Sequence, residues 1–207
     1  MNIKKLNNNS FGVNSYLVYD PDTKYTILID PALNYNFIVD YIDKNQLKLM
    51  AIILTHGHID HIADALPIKE KYNVDIYAHE MEDEILKDAK KSLAENFGYK
   101  DLSITADFLV KNNDILEFGP MKFKVLHTPG HTKGGICLIG KDHIFTGDTL
   151  FAGSMGRTDL FSGNDSHMRA SLHKLSTYDE NMSIHPGHGG SSTVGKEKQT
   201  NPFMRNI

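Results

Sequence analysis

The chain contains the segment Ala51-Ile52-Ile53-Leu54-Thr55-His56-Gly57-His58-Ile59-Asp60-His61, in which an apolar run passes directly into a group of histidines and a carboxylate. The apolar run is typical of a strand that is covered on both faces. Imidazole and carboxylate are among the side-chain groups that bind transition metals in proteins. The segment therefore predicts a buried strand that ends at a metal site.

The spacing within this segment divides the ligands into two pairs. In extended backbone, side chains at i and i+2 lie on one face, so His56 and His58 can bind the same ion, and Gly57 leaves the backbone between them free to turn. Asp60 and His61 follow the bend and point elsewhere. The spacing does not fit the i, i+3 or i, i+4 pattern of a helical HExxH site. We interpret the segment as one pair for each of two neighbouring ions, and the alternative is a solvated polar loop.

Length and composition limit the class of protein. A chain of 207 residues with 40% apolar residues is predicted to form one domain, residues 1–207, with a buried core. The net charge of -4 gives no reason to expect a nucleic acid or an anionic membrane as partner. The single cysteine, Cys137, cannot form an internal disulfide, and no apolar run has the length of a signal peptide core or a membrane span. We therefore expect a cytoplasmic protein without a membrane anchor.

Periodicity predicts alternating strands and helices. The predicted strands cover 11–19, 25–29, 51–54, 74–78, 114–118, 121–127, 135–139, 143–146 and 182–184. The predicted helices cover 36–44, with Phe37, Ile38, Tyr41 and Ile42 inward, 65–72, 166–175, capped by Asp165 or Ser166, and 194–200. Residues 80–97 are rich in Glu, Lys, Ala and Leu and predict an exposed amphipathic helix. Two sheets face to face with helices outside accommodate this order.

Three later segments repeat the arrangement of a strand followed by a ligand. They are Thr128-Pro129-Gly130-His131, Thr146-Gly147-Asp148 and His185-Pro186-Gly187-His188. Each combines Gly or Pro, which permit a sharp bend, with one side chain that can bind a metal. One such loop alone is a weak signal. Four loops in the same setting predict that their ligands meet.

The chemistry of the ligands suggests how they are shared between two ions. His56, His58 and His131 form a set of three nitrogen ligands, which is typical of a catalytic ion with one open position. The second set is Asp60, His61 and His188, and Asp148 is the candidate bridge because a carboxylate can offer one oxygen to each ion. Two ions can hold a hydroxide between them and stabilise the charge that develops during its attack. Zinc is the default metal, and iron or manganese also suits these ligands.

These residues resemble the metallo-β-lactamase superfamily. The resemblance rests on Thr55-His56-Gly57-His58-Ile59-Asp60-His61 with His131, Asp148, His188 and the early Asp30. More narrowly, the chain resembles the glyoxalase II-like hydrolases in the segments 146–153, 156–160, 185–189 and 201–205. The resemblance covers essentially the whole chain. It implies an αββα sandwich, with two mixed β-sheets face to face and helices outside, and a binuclear site that hydrolyses a thioester, in that family S-D-lactoylglutathione, by a metal-bridging hydroxide.

One departure from the family leaves the thiol open. Glyoxalase II enzymes that resemble this chain continue into a C-terminal helical region that supplies much of the glutathione pocket, whereas this sequence stops at Ile207. The chemistry carries over from the resemblance. The substrate is therefore expected to be a small-molecule thioester of glutathione or of another low-molecular-weight thiol.

Two other activities on the same scaffold stay open. One is an iron-dependent oxidoreductase of the persulfide dioxygenase kind, which uses a single ion bound by two histidines and an aspartate, so that His188 would be redundant. The other is hydrolysis of a different ester-like bond, in a β-lactam or a phosphodiester. The predicted location disfavours a resistance lactamase, and the net negative charge disfavours a nuclease. The sequence does not predict the oligomeric state.

Further roles are predicted for one ligand and for residues outside the ligand set. Asp60 is expected to orient the nucleophile in addition to binding metal, and Asp30 is expected to accept a hydrogen bond from a ligand imidazole. His79 lies at a predicted strand end and is a candidate substrate residue. Arg157 is also a candidate substrate residue, although a pairing with a protein carboxylate is slightly favoured. Cys137 is expected to be inert core.

Overall fold

A computed structural model describes residues 1–7 and 11–205 of the chain. The strands are β1 Asn2–Leu6, β2 Ser15–Tyr19, β3 Tyr25–Ile29, β4 Lys48–Ile53, β5 Asp75–His79, β6 Phe108–Val110, β7 Ile115–Phe118, β8 Met121–His127, β9 Ile136–Ile139, β10 His143–Gly147, β11 Leu150–Phe151, β12 Ser154–Met155, β13 Ser183–Pro186 and β14 Ser192–Thr193. The α-helices are α1 Tyr35–Lys44, α2 Ile59–Ile62, α3 Ala65–Tyr72, α4 Asp83–Leu86, α5 Asp165–Ser176 and α6 Val194–Thr200. Two 3₁₀ turns cover Glu80–Glu82 and Ala94–Phe97.

The strands form two mixed six-stranded sheets and one small hairpin. The first sheet has the order β1-β2-β3-β4-β5-β6, and the second has the order β14-β13-β10-β9-β8-β7. In the first sheet β1, β2 and β3 are antiparallel neighbours, whereas β3 to β6 run parallel. In the second, β10 and β13 are parallel and the other neighbours are antiparallel. The hairpin pairs β11 with β12.

The core is arranged in layers because successive residues of the central strands point to opposite faces. In β4, Ala51 and Ile53 pack into the cluster between the two sheets, while Ile52 packs against the helices that cover the first sheet. A third cluster lies between the second sheet and α5, to which Leu172 contributes. The apolar run is continuous because both faces of β4 are covered. The αββα sandwich predicted from the sequence is therefore confirmed.

The strand directions bring four chain segments to one edge of the sandwich. Strands β8, β10 and β13 run in the same direction, since β8 and β10 are both antiparallel to β9 and β13 is parallel to β10. The segments that follow these strands carry His131, Asp148 and His188. The loop after β4 brings His56 and His58 to the same edge, and α2 begins immediately afterwards.

Most predicted elements are present with shifted ends, and two details are wrong. Helix α5 is capped by Asn164, whose side chain accepts a hydrogen bond from the backbone N–H of His167, and not by Asp165 or Ser166. On α1, Ile38 and Ile42 are buried as predicted, but Phe37 is 40% exposed. Among residues 1–7 and 11–205, no helix is long and apolar enough to cross a membrane.

The prediction of one exposed helix over 80–97 is wrong. The segment contains a 3₁₀ turn, the short helix α4 and a second 3₁₀ turn. Leu93 has a left-handed backbone with φ of 65°, which interrupts any continuous helix. Glu82 is completely buried although the charges of this segment were expected to be solvated. Long-range hydrogen bonds to its carboxylate hold the segment against the ligand loops.

Candidate metal centre

The first group of ligand atoms belongs to three buried histidines. His56 and His58 lie on the loop after β4, and His131 lies on the loop after β8. Their ring nitrogens lie within 4.8 Å of one another. The Nδ1 atom of His58 is 2.9 Å from the Nε2 atom of His131. The structure therefore brings together the three residues that the sequence assigned to one ion.

The second group combines a carboxylate and two histidines from distant parts of the chain. Asp60 and His61 lie on α2, and His188 lies on the loop after β13. Their ligand atoms also lie within 4.8 Å of one another, with His188 Nε2 3.4 Å from an oxygen of Asp60. These are the residues that the sequence assigned to a second ion.

The carboxylate of Asp148 faces both groups. One of its oxygens lies 3.4 Å from Nε2 of His61, and the other lies 3.6 Å from Nε2 of His131 and 3.5 Å from Nε2 of His188. The side chain is 9% exposed. This position between the two groups is the one expected of a bridging ligand.

Several buried polar atoms at this point have no hydrogen-bond partner within the described parts of the chain. They are the Nε2 atoms of His56, His58 and His61 and the Oδ1 atom of Asp148. Buried polar atoms are otherwise almost always paired, because an unpaired one loses its hydration without compensation. The donor set of imidazoles and carboxylates fits divalent transition metals. The groups of His and Asp are therefore able to bind metal ions.

Hydrogen bonds on the far side of the rings orient two of the histidines. His131 donates from Nδ1 to the backbone carbonyl of Arg157 at 2.7 Å, and His61 donates from Nδ1 to Asp30 Oδ2 at 2.9 Å. Each bond leaves the lone pair of Nε2 directed toward the ligand group, which is the usual arrangement behind a metal-binding histidine. Since Nδ1 is occupied by a hydrogen bond in both His131 and His61, Nε2 is the metal-binding atom that we assign to these two residues.

Asp30 is placed behind the ligands, as the sequence predicted. Its carboxylate also accepts hydrogen bonds from the backbone N–H and the hydroxyl of Thr55, at 2.7 and 2.6 Å. Asp30, His56 and His61 form a third group that meets the distance requirement for a metal site. Because both Asp30 oxygens already accept hydrogen bonds, we assign Asp30 to orienting His61.

The electrostatics of the two groups differ. Burial, together with neighbouring imidazoles, lowers the pKa of His56 well below its usual range and that of His58 to about 3, so both rings are neutral and able to bind metal. Burial also acts to lower the pKa of His61, but Asp148, Asp60 and Asp30 outweigh it and raise that pKa to about 10. The carboxylates around His61 therefore attract positive charge to this point.

Two glycines allow the loops to approach one another. Gly147, next to Asp148, has φ of +47°, and a Cβ atom there would collide with the side chain of Thr55. A Cβ atom at Gly187 would collide with Asp148 Oδ1 and with the ring of His61. The glycines that the sequence indicated as turn residues thus also provide the space in which the ligands meet.

Sequence reasoning missed Glu82, which links the two loops of the first group. Its carboxylate accepts hydrogen bonds from the backbone N–H groups of Gly57 and Gly134, both at 2.9 Å, and from the hydroxyl of Thr132. Gly57 lies between His56 and His58, and Thr132 follows His131. Burial raises the pKa of Glu82 to about 7, although these hydrogen bonds lower it. No local pattern distinguishes Glu82 from the solvated glutamates beside it.

A second missed group supports the loop of His188. The side-chain amide of Asn14 donates to the carbonyls of Pro186 and Gly189, both at 2.9 Å. The Tyr16 hydroxyl donates to the same Pro186 carbonyl at 2.7 Å. Strand β2 and the segment before it therefore position a ligand loop 170 or more residues away in sequence.

A cavity of about 390 Å³ opens above the ligand groups. His58, Asp60, His131, Asp148 and His188 lie at its base. Its walls are largely apolar and are formed by Phe11, Ile59, Leu93, Phe97, Phe151, Met155 and Leu160. The ligand groups thus face a space that admits a small molecule.

The two candidate substrate residues have different positions. Arg157 lines the cavity, but its Nε and Nη2 atoms each lie 2.7 Å from an oxygen of Asp159, so its guanidinium is paired with a protein carboxylate. His79 is not among the residues that line this cavity. Its ring stacks on that of His127, with centroids 4.1 Å apart, and its Nδ1 accepts a hydrogen bond from Met81. The predicted substrate role of His79 thus gains no support from its position.

Comparison with known proteins gives a matching family model. The model described as the metallo-beta-lactamase superfamily matches residues 9–188. A curated relative, the hydroxyacylglutathione hydrolase GloC of Haemophilus influenzae, is 34% identical over 209 aligned positions, which cover 99% of this chain and 98% of that protein.

Solved structures are similar over nearly the whole chain. A crystal structure titled as the B3 metallo-beta-lactamase BLEG-1 is 31% identical, with a TM-score of 0.92, and the match covers 98% of this chain and 99% of that one. A crystal structure of TTHA1623 in a di-iron-bound form is 29% identical, with a TM-score of 0.86, over 97% of this chain and 99% of that one.

Proposed function

Since the chain belongs to the metallo-β-lactamase superfamily, we propose that it is a binuclear metal-dependent thioesterase. Its relatives include one named a hydroxyacylglutathione hydrolase and one named a probable metallo-hydrolase. Its substrate would be a small-molecule S-2-hydroxyacyl thiol, such as S-lactoylglutathione or a related conjugate. The reaction adds water, breaks the C–S bond, forms a C–O bond, and releases a 2-hydroxy acid and a thiol. The name of the Haemophilus influenzae relative supports the substrate class.

The position of Asp148 is the observation that carries the proposal. Its two oxygens lie within 3.6 Å of imidazole nitrogens from both ligand groups. A single ion held by one group would not require a carboxylate that faces both. The similarity to a structure in a di-iron-bound form agrees with a site for two ions.

The residues that would hold the ions follow from the two groups. His56, His58 and His131 would bind one ion, Asp60, His61 and His188 the other, and Asp148 would contact both. When bound, the two cations supply Lewis acidity, which polarises the thioester carbonyl and makes hydroxide available near neutral pH. Zinc is the metal that we propose first, with iron or manganese as alternatives that the same ligands accept.

Asp60 would orient the attacking water. Its side chain is 23% exposed and lines the cavity, so it can reach a solvent molecule there. Burial acts to raise the pKa of Asp60, but His61 and His188 lower it well below its usual range. The carboxylate is therefore ionised at neutral pH and can accept a hydrogen bond from the nucleophile.

The cavity walls would exclude bulk water around the reacting carbonyl. Phe151 lies edge-on to the ring of His188, with centroids 5.8 Å apart. Phe97 lies edge-on to Phe11 with centroids 4.8 Å apart. Apolar walls next to the ligands lower the local dielectric and strengthen the electrostatic interactions of the charged groups at the base.

The test is a hydrolysis screen over several thioesters, with metal analysis of the same preparation. We expect about two divalent ions per chain and release of thiol from a 2-hydroxyacyl thioester. Protein that carries two ions and cleaves none of the thioesters would refute the proposal.

The position of His188 argues against a mononuclear iron oxidoreductase of the persulfide dioxygenase kind. Such a site needs two histidines and an aspartate, whereas His188 Nε2 here lies 3.4 and 3.5 Å from the carboxylates of Asp60 and Asp148. One iron per chain together with oxygen uptake on a persulfide would favour the oxidoreductase instead.

A second candidate activity is β-lactam hydrolysis. It is favoured by the similarity to the structure titled as a B3 metallo-beta-lactamase, which covers nearly all of both chains. The same base and nucleophile can attack the strained amide carbonyl of a lactam. A chromogenic cephalosporin in the same screen measures this activity, and no colour change with metal-loaded protein would exclude it.

A further inference from the structure

We infer that the site recognises the thiol half of its substrate through an apolar stem and not through the charged ends of glutathione. The inference rests on the proposed thioesterase function. It narrows the substrate class to 2-hydroxyacyl thioesters whose thiol carries an apolar or neutral group next to sulfur. Esters of glutathione are expected to be cleaved no faster than esters of such neutral thiols.

The described cavity lining contains few cationic side chains. Glutathione carries two carboxylates and one ammonium group at neutral pH, and proteins hold such carboxylates with Arg or Lys. Among the described residues that line the cavity, Arg157 is the single Arg or Lys. Its Nε and Nη2 atoms bind Asp159, and its side chain is 62% exposed.

The two carboxylates of glutathione would therefore find at most one cation on the described cavity wall, and that cation already pairs with Asp159. A carboxylate buried on the wall without a cation beside it would lose hydration and gain no ion pair in return. The Nη1 group of Arg157 could hold one carboxylate while Nε and Nη2 stay on Asp159, and the second carboxylate of glutathione would remain without a cation. The charged ends are therefore expected to stay in solvent and to add little selectivity.

Apolar side chains from two parts of the chain line the cavity. One wall consists of Leu93 and Phe97 together with Phe11. The other comes from the β11–β12 hairpin, with Phe151 and Met155. Phe97 is 48% exposed, so its ring has a free face toward solvent.

These walls suit an apolar group beside the sulfur atom. Each additional methylene of the thiol that is buried between them is expected to improve binding about threefold to fourfold. The left-handed backbone at Leu93 and the 3₁₀ turn that follows bring Leu93 and Phe97 to this position. The same segment is the one that the sequence predicted as a solvent-exposed helix.

The kinetic test uses three D-lactoyl thioesters with the same acyl group, made from glutathione, N-acetylcysteamine and benzyl mercaptan. With zinc-loaded protein we expect kcat/KM for the benzyl mercaptan ester to equal or exceed that for the glutathione ester, and N-acetylcysteamine to lie within about tenfold of glutathione. A preference for glutathione of more than about 100-fold over both neutral thiols would overturn the inference.

A pair of variants locates the effect on the wall. Phe97→Ala is expected to raise KM for the benzyl mercaptan ester about tenfold, with a smaller change for the N-acetylcysteamine ester. Phe203→Ala removes an equally large ring that is 43% exposed and does not line the cavity, and it serves as the control. Equal effects of Phe97→Ala on all three esters would contradict a thiol-side wall.

A binding measurement separates this inference from the proposed function. Calorimetry with the zinc-loaded protein compares S-benzylglutathione, S-methylglutathione and N-acetyl-S-benzylcysteamine, which are thioethers and cannot be hydrolysed as thioesters. We expect the two benzyl compounds to have Kd values within about threefold of each other and S-methylglutathione to bind at least tenfold more weakly. Equal binding of the two glutathione ethers without binding of the cysteamine ether would overturn the inference, even if the thioesterase activity is present. If no thioester is cleaved, the proposed function fails, and the binding comparison still decides the role of the wall.

Discussion

The backbone N–H of Gly57 donates a 2.9 Å hydrogen bond to the buried carboxylate of Glu82, which lies 25 residues further along the chain. The same carboxylate accepts a hydrogen bond from Gly134 at 2.9 Å. Gly57 separates His56 from His58, and Gly134 lies three residues after His131. One side chain therefore fixes the relative positions of the two loops that supply the first ligand group.

Glu82→Gln is expected to weaken metal binding at the first group about 10-fold to 100-fold, the range typical when a partner behind the ligands is lost. The amide retains the shape of the carboxylate but replaces one acceptor with a donor, which then faces a backbone N–H. Titration of the metal-free protein with zinc in the presence of a competing chelator measures the change. Glu84→Gln, at an exposed residue that pairs with lysines, is the matched control and should leave both affinities unchanged. Unaltered zinc affinity in Glu82→Gln would contradict this role.

The pKa of Glu82 predicts a pH dependence of stability. Burial raises this pKa from 4.5 to about 7, so the folded protein binds the proton more tightly than the unfolded chain does. The resulting stabilisation is fully present below pH 4.5 and is lost as the pH rises through about 7. At about 1.4 kcal/mol per pKa unit, the free energy of unfolding changes by at most about 3 kcal/mol. Urea unfolding of the wild type and of Glu82→Gln at pH 5 and pH 8, both in EDTA, measures it. The decrease between the two pH values should be smaller in Glu82→Gln, and an equal decrease would show that Glu82 is not its source.

Asp30→Asn is expected to lower zinc affinity at the second group about 10-fold to 100-fold. The asparagine can no longer accept all three hydrogen bonds that the carboxylate receives from Thr55 and His61. The ring of His61 then loses the partner that directs its Nε2 toward the ligand group. Zinc content after dialysis should fall from about two ions per chain toward one. Asp179→Asn, at an exposed position in the turn before β13, is the control. Two ions retained by Asp30→Asn would argue against the orienting role.

Asp148→Ala should reduce thioesterase turnover by more than about 100-fold, because removal of a ligand is expected to exceed the effect of losing a partner behind one. The metal content should also fall, since the carboxylate faces His61, His131 and His188. Asp142→Ala, an exposed position in the turn before β10, tests whether any loss of charge in this region has the same effect. Turnover like that of the wild type in Asp148→Ala would refute the bridging role.

Removal of metal is expected to lower the melting temperature. The Nε2 atoms of His56 and His61 are buried and have no hydrogen-bond partner within residues 1–7 and 11–205, so an ion that binds them stabilises the folded state relative to the unfolded chain. An ion present at 100 times its Kd contributes about 2.7 kcal/mol, which corresponds to roughly 5–10 °C in a chain of this size. Scanning fluorimetry in EDTA and in excess zinc measures the shift. Identical melting temperatures would mean that no ion binds the folded chain selectively.

The sandwich was predictable because its signals are local. The run Ala51 to Leu54 marks a strand covered on both faces by its composition alone, and α3 has the predicted bounds of 65–72. The ligand loops were predictable for the same reason, since each consists of a few adjacent residues after an apolar strand. The strands before these loops run in the same direction, so the loops that follow them lie at one edge of the sandwich.

The segment 80–97 shows where local patterns fail. Its composition favours a solvated helix, but hydrogen bonds from Gly57 and Gly134 to Glu82 replace helical geometry with short turns. The cap of α5 is a smaller example, since Asn164, Asp165 and Ser166 are all acceptable caps and the loop geometry selects the first.

The sequence by itself determined which residues are available as ligands, in which loops they lie and which strand precedes each loop. These properties follow from a few adjacent residues in the chain. Only the tertiary structure decided that Asp148 faces both ligand groups, that Glu82 and Asn14 hold the ligand loops, that Arg157 is paired with Asp159, and that Phe97 forms a wall of the cavity. The physical reason is that each of these relations, apart from the Arg157 pair, joins residues far apart in sequence. Such contacts depend on the packing of the two sheets, which no short stretch of sequence specifies.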